Sequence, residues 1–310
     1  MIGEAFFRKI RSFCYFIALI VCSCDPATRP HTDLAQYQFT ETRDLVSFVH
    51  EAAALFSEKG KVACIQFGKK ESKWLTGTKY IFIYDTSGTC IFHPVRKDLV
   101  GKNLLNLEDL NGKPIGKFIN TIAFHSKKSC GWIHYLWAEP GEIFPFVKHA
   151  YIMGVKGPDG KKYAIGSGTY NLRIEMLFVV DMVDSAAKLV ESKGPEAYDL
   201  LIDQSGEFNF SNTYVFVMKP NGQLLVDPSF PTISGRNVID FKDYAGQLII
   251  RELLQRLKKN DVVFIPYLWP APGQANPSKK IIYAKKTVSG SDTVIVGSSL
   301  YLMDPIWKKF

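Results

Sequence analysis

Residues 80–103 read YIFIYDTSGTCIFHPVRKDLVGKN, and residues 214–237 read YVFVMKPNGQLLVDPSFPTISGRN. Tyr80, Phe82, Gly88, Pro94, Gly101 and Asn103 recur as Tyr214, Phe216, Gly222, Pro228, Gly235 and Asn237, each 134 positions later. Gly60 recurs as Gly194 at the same offset. Downstream, Tyr135, Trp137, Pro140-Gly141, Lys148 and Tyr151 recur as Tyr267, Trp269, Pro272-Gly273, Lys280 and Tyr283, now 132 positions apart. So small a drift means duplicated modules with matched loops. The period is far too long for a solenoid, so the chain holds two domains of one type.

Each quoted stretch opens with an apolar strand, turns at a glycine and returns as a second strand, the pattern of a hairpin. Upstream, Leu45, Phe48, Val49, Ala52, Ala53 and Phe56 follow the spacing of an amphipathic helix. Val179, Met182, Val183, Ala186, Ala187 and Val190 repeat it. Gly60 and Gly194 follow these helices, where a glycine caps readily. Short helical stretches are predicted at 61–67 and 195–202. Helices are also predicted over Gly112–Phe124 and Tyr244–Leu257. Three strands close each module: 132–137, 148–155 and 163–167, then 262–269, 280–286 and 293–298. The order predicts an α+β module with a long N-terminal helix and a five-stranded antiparallel sheet. Module one is expected over 33–170 and module two over 171–303, with a C-terminal tail at 304–310. The first helix of module two is expected to start near Asn171, with no flexible linker before it.

The first residues are a separate object. Arg8, Lys9 and Arg11 precede the short apolar run 12–23, too short for the roughly 20 residues of a spanning helix. A positive start, a short apolar core and a small residue before a break form a secretory signal. Val21-Cys22-Ser23-Cys24 resembles a bacterial lipobox, which implies lipidation at Cys24 and a membrane-tethered, periplasmic body. An uncleaved anchor helix is the alternative.

The 310-residue chain is 46% hydrophobic and 22% charged, ordinary for globular protein. Its net charge of +8 falls to about +6 without residues 1–23 and is scattered, with no recognition-helix pattern, so nucleic acid is not an expected partner. Cys64, Cys90 and Cys130 leave open a Cys90–Cys130 bridge or three reduced thiols. The six histidines (31, 50, 93, 125, 134, 149) show no metal-ligand spacing, and no GxSxG elbow is present. Neither an enzyme nor a cofactor is expected.

Residues 79–170 resemble the Cache family of PAS-like extracytoplasmic sensor domains, closest to its single-Cache type 2 group. The resemblance rests on Tyr80–Asp85, Gly88, His93-Pro94, Leu99–Leu107, Gly112-Lys113-Pro114, Gly131-Trp132, Tyr135, Trp137, Pro140-Gly141 and Gly166-Ser167-Gly168. The second copy departs at Asp227, which replaces His93, and at Phe264, which replaces Trp132. Membership implies a pocket for a small ligand, commonly a short carboxylate such as acetate, pyruvate or lactate. Such domains usually drive a cytoplasmic signalling part; here only Leu302–Phe310 follow the last strand, a departure that makes a membrane receptor or transporter an expected partner.

A small anion needs a cation, neutral donors and apolar walls in one hollow. The candidate set in module one is Tyr80, His93, Tyr135, Trp137, Lys148 and Tyr151. In module two it is Tyr214, Asp227, Tyr267, Trp269, Lys280 and Tyr283. Each lysine would face the carboxylate, and Tyr and Trp would donate while excluding water. His93 would also respond to mild acidity. Asp227 would suit an amine-bearing ligand or serve its turn. Phe82, Phe216 and Trp132 are expected to be core.

Overall fold

The protein is described by a computed structural model covering residues 33–170, 172–271 and 273–302. The expected signal segment, Cys24, Asn171 and the tail at 304–310 lie outside the described residues.

In chain order the elements are α1 (Thr40–Lys59), α2 (Ala63–Phe67), β1 (Leu75–Thr76), β2 (Lys79–Tyr80), β3 (Phe82–Asp85) and β4 (Cys90–Phe92). Then follow α3 (Ile115–Asn120), β5 (Cys130–Ala138), β6 (Pro145–Lys156) and β7 (Lys162–Thr169). The second set is α4 (Met176–Lys193), α5 (Ala197–Ile202), β8 (Asn209–Phe210), β9 (Thr213–Met218) and β10 (Leu224–Val226), then α6 (Ile249–Leu257), β11 (Val262–Pro270), β12 (Pro277–Ser289) and β13 (Asp292–Tyr301). Both sheets are antiparallel with the same order, β4-β3-β7-β6-β5 and β10-β9-β13-β12-β11. The short β8 pairs with β9 at the side of the second sheet.

The repeat is reproduced to the level of dihedrals. Gly60 ends α1 at φ 57°, ψ −140°, and Gly194 ends α4 at φ 59°, ψ −139°. All twelve predicted apolar helix positions are buried. Each large one contributes about 1.5–3 kcal/mol on leaving water. Side chains alternate across a strand, so each sheet has two different faces. Ile81, Ile83, Tyr163 and Ile165 meet α1 and α2 on one face. Tyr80, Phe82, Tyr84, Ile133, Tyr135, Ala150 and Ile152 occupy the other.

Two helix starts fall later than expected. The helices predicted from Gly112 and Tyr244 begin later, at Ile115 and Ile249. In both copies an aspartate claims the backbone donors ahead of them. Asp109 Oδ1 accepts from the Asn111 and Lys113 amides at 2.8 and 3.0 Å, and its Oδ2 accepts from Leu136 at 2.9 Å. Asp243 does the same for Ala245, Gln247 and Leu268, each at 2.9 Å. Gly112 and Gly246 supply the left-handed residue of the turn, at φ 78° and 79°. The first module's helix then loosens into a π-turn over Thr121–His125.

The first helix of module two starts at Met176 rather than near Asn171. The buried Glu175 ahead of it accepts from the Gln38 and Phe39 amides, each at 2.9 Å. All three described cysteines are free thiols. Cys90 and Cys130 lie on opposite edge strands, four strand spacings or roughly 19 Å apart in the sheet, well beyond disulfide reach.

The modules meet along a seam. His134 stacks on Phe210 at 4.1 Å and packs on Phe178 at 5.1 Å. Its Nδ1 lies 2.8 Å from that of His149, and burial holds both rings neutral. The buried Lys113 ammonium spans the seam, donating to the carbonyls of His134 and Asn209 at 3.0 Å each. Removing it strands two acceptors. Lys113→Met is therefore expected to cost about 2–4 kcal/mol, read as a lower urea midpoint. An unchanged midpoint would mean the seam does not depend on this bridge.

Candidate functional site

On β6, Lys148 shares a face with Ala150 and Ile152, and the register sets it opposite Tyr135 on β5. The edge of β2 brings Tyr80, the turn after β4 brings His93, and Trp137 ends the same face of β5. Lys148 is 1% exposed. Its Nζ donates to Tyr80 Oη at 2.7 Å and lies 3.9 Å from the centre of the Tyr80 ring. Tyr170, which the sequence reading did not single out, stands 5.5 Å from the same ammonium. Gly168 makes room for the lysine stem, since a Cβ there would meet Lys148 Cε at 2.8 Å.

This face sorts the candidates. In module one, Tyr80, His93, Tyr135, Trp137 and Lys148 come together. Tyr151 does not, because three positions along a strand reverse the face. It stacks on His50 of α1 at 5.9 Å and meets Trp132 edge-on at 5.3 Å. Tyr283 follows suit in module two, where its hydroxyl lies 3.4 Å from Asp184 of α4. Both tyrosines are withdrawn from the site. Phe82 and Phe216 are core, each filling the space over a glycine. A Cβ on Gly166 or Gly297 would lie 2.4 Å from the ring.

His93 and Asp227 hold one turn by different chemistry. The Arg96 amide donates to His93 Nδ1 at 2.9 Å, and the Phe230 amide donates to Asp227 Oδ1 at 3.0 Å. Burial, with the Lys148 and Arg96 cations beside it, pushes His93 down to about 3. It is neutral at mild acidity, which corrects the expectation of a response there. Burial also pushes Asp227 upward.

The two cups differ in openness. In module one, Tyr80, His93, Tyr135 and Lys148 are each at most 6% exposed, and Leu75 and Val95 pack into the same cluster. Their counterparts 134 positions later are Asn209 and Ser229. These polar residues border a cavity of about 550 Å³ together with Tyr214, Phe230, Trp269, Lys280 and Tyr301. Lys280 is 4% exposed. Its Nζ lies 4.4 Å from the Tyr301 ring, 5.8 Å from Tyr214 and 6.0 Å from Tyr267. Among the described residues this ammonium has no hydrogen-bond partner, unlike Lys148. Burial pulls it down to about 8, with Asp227 opposing. Thus Tyr214, Trp269 and Lys280 line the cavity, while Asp227 and Tyr267 stand near it without lining it.

Residues 65–198 match the family described as Cache domain, and residues 183–304 match the Single Cache domain 2 family. The chain carries two Cache domains in tandem. The single-Cache match falls on the second copy, whereas the resemblance in sequence was read mainly on residues 79–170. Among solved structures, a periplasmic sensor domain of a chemotaxis protein is 22% identical, covers 43% of this chain and 91% of its own, and has a TM-score of 0.33. A Cache chemosensory domain described for carboxylic acid recognition is 22% identical over 46% of this chain and all of its own, at a TM-score of 0.37. The ligand-binding domain of the Pseudomonas fluorescens chemoreceptor CtaA, in complex with L-alanine, is 10% identical over 88% of this chain and 93% of its own, at 0.32.

The Cache sites also use residues that sequence reasoning missed. Tyr170 follows the last residue of β7 and Tyr301 ends β13, and they donate to the Ala138 and Pro270 carbonyls at 2.8 and 2.7 Å. They recur at an offset of 131, as do Gly166 and Gly297, so the last strand's own register was the signal. Among the described residues no cluster of His, Cys, Asp and Glu is placed to hold a metal ion.

Lys148 supplies a test of the closed cup. Burial pulls its ammonium down to about 7. Between that pH and the point where a free lysine deprotonates, the unfolded chain holds the extra proton, so stability rises with pH there. Lys148→Met is expected to be more stable than wild type by on the order of 3 kcal/mol below pH 7. The gap should close as pH approaches 10. A pH-independent difference in denaturation midpoints would contradict this.

Proposed function

We propose that this protein is an extracytoplasmic, membrane-tethered receptor that captures a small organic acid in its second Cache domain. One observation carries the reading: Lys280 is 4% exposed as a residue, its ammonium borders the cavity among aromatic rings, and among the described residues it has no hydrogen-bond partner. A cation with little water and no hydrogen bond from the protein is costly, and an entering carboxylate relieves that cost through charge-assisted bonds. The first Cache domain takes another part. Its lysine is fully enclosed with one hydrogen bond, to Tyr80, and Leu75 and Val95 pack against the same cluster, so it acts as a platform for the second. That division favours the interaction-protein alternative for module one alone. Binding rather than catalysis fits the absence of a nucleophile–base arrangement among the residues that line the cavity.

The tether follows from the sequence of residues 1–24, with Cys24 as the lipidated residue. A membrane receptor or transporter would read the liganded state, which requires the ligand to favour one arrangement of the modules over another. Cys24→Ser is expected to release the protein from the membrane fraction. Retention there would favour an uncleaved anchor.

The binding test is calorimetry with L-lactate and acetate. Lys280→Met should abolish the heat of binding, whereas Lys148→Met should leave it unchanged. Affinity should be flat below pH 8 and fall about tenfold per pH unit above it, as the free amine loses its proton. Undiminished binding by Lys280→Met would refute the assignment.

A further inference from the structure

The cavity beside Lys280 extends beyond the cup and reaches the seam. Its lining also includes the exposed side chains of Gln204 and Asn212 and, from module one, Asn111. The side chains of these three amides form no hydrogen bond among the described residues. Each offers one acceptor and two donors. A carboxylate only accepts, so it leaves the amide oxygens unused. A ligand hydroxyl both donates and accepts, and neighbouring hydroxyls suit planar amides. Size points the same way. The cavity is open to solvent on one side, and at about 550 Å³ it falls in the roughly 300–1,000 Å³ range of small-molecule sites. A two- or three-carbon acid is only a few times larger than a water, which claims about 30 Å³. Trp269 and Phe230 add apolar faces to the lining, the surface that the C–H side of a sugar ring covers.

We propose that the cavity takes a polyhydroxylated acid of hexuronate size, its carboxylate on Lys280 and its hydroxyls on an amide wall that module one completes with Asn111. This rests on the carboxylate-binding reading of Lys280. Asn111 belongs to the loop that Asp109 ties to Leu136 and from which Lys113 reaches the Asn209 carbonyl. A ligand spanning Lys280 and Asn111 therefore touches both Cache domains and closes the seam between them.

The experiment is calorimetry on the full chain with D-glucuronate and L-lactate, for wild type, Asn111→Ala and Lys280→Met. Glucuronate should bind at least tenfold more tightly than lactate. Asn111→Ala should weaken glucuronate about tenfold and leave lactate unaltered, with no change in unfolding midpoint because this exposed side chain supports no contact. Lys280→Met should remove both. The proposal is overturned if glucuronate binds no better than lactate, or if Asn111→Ala binds glucuronate as wild type does. In either case lactate binding that still depends on Lys280 leaves the simpler reading standing. If neither acid binds, both fall.

Discussion

A lysine ammonium drawn out of water onto an interior strand is the constraint around which both halves of this protein are arranged. Burial of a charge is expensive unless something compensates it, and the two modules compensate differently. Module one answers internally: the Tyr80 hydroxyl accepts a hydrogen bond, aromatic rings surround the cation, and glycine at 168 gives the stem its room. Module two keeps the aromatic rings and leaves the hydrogen bond unmade. The same scaffold thus encloses one ammonium on a tyrosine hydroxyl and borders a cavity with the other. In the proposed reading, a ligand carboxylate meets the second.

Leu75 and Val95 pack against the first cluster, and Asn209 and Ser229, at the same places in the second copy, border its cavity. Apolar residues at these places thus accompany a packed layer and polar ones a bordered hollow, with strand order unchanged. The turn beneath is indifferent to such exchanges: His93 and Asp227 receive the same backbone donor with an imidazole nitrogen or a carboxylate oxygen.

Much of this was legible in the sequence because repetition and periodicity report on backbone. The offset of 134 and the helical and strand spacings led to the element order and to which helix positions are buried. The lysines were found as doubled charges on apolar strands. What failed did so for local geometric reasons. Tyr151 and Tyr283 were grouped with the lysines by repetition alone, yet an odd spacing along a strand puts them under the helices. Helix starts at Gly112 and Tyr244 were read too early because Asp109 and Asp243 take the first amides by side-chain bonds that spacing does not reveal. Asn111 carried no sequence signal as a site residue. It belongs to one module and borders the cavity of the other, and only three-dimensional proximity connects them.

Glu175 joins the entry of α1 to the segment leading into α4, holding the Gln38 and Phe39 amides on a single buried carboxylate. Arg173 and Glu41 make an ion pair close by. The two long helices therefore share a mechanical pivot at their beginnings. A displacement at the start of α4 would reach the chain at residues 38–39 through these two bonds, by a route that crosses neither sheet.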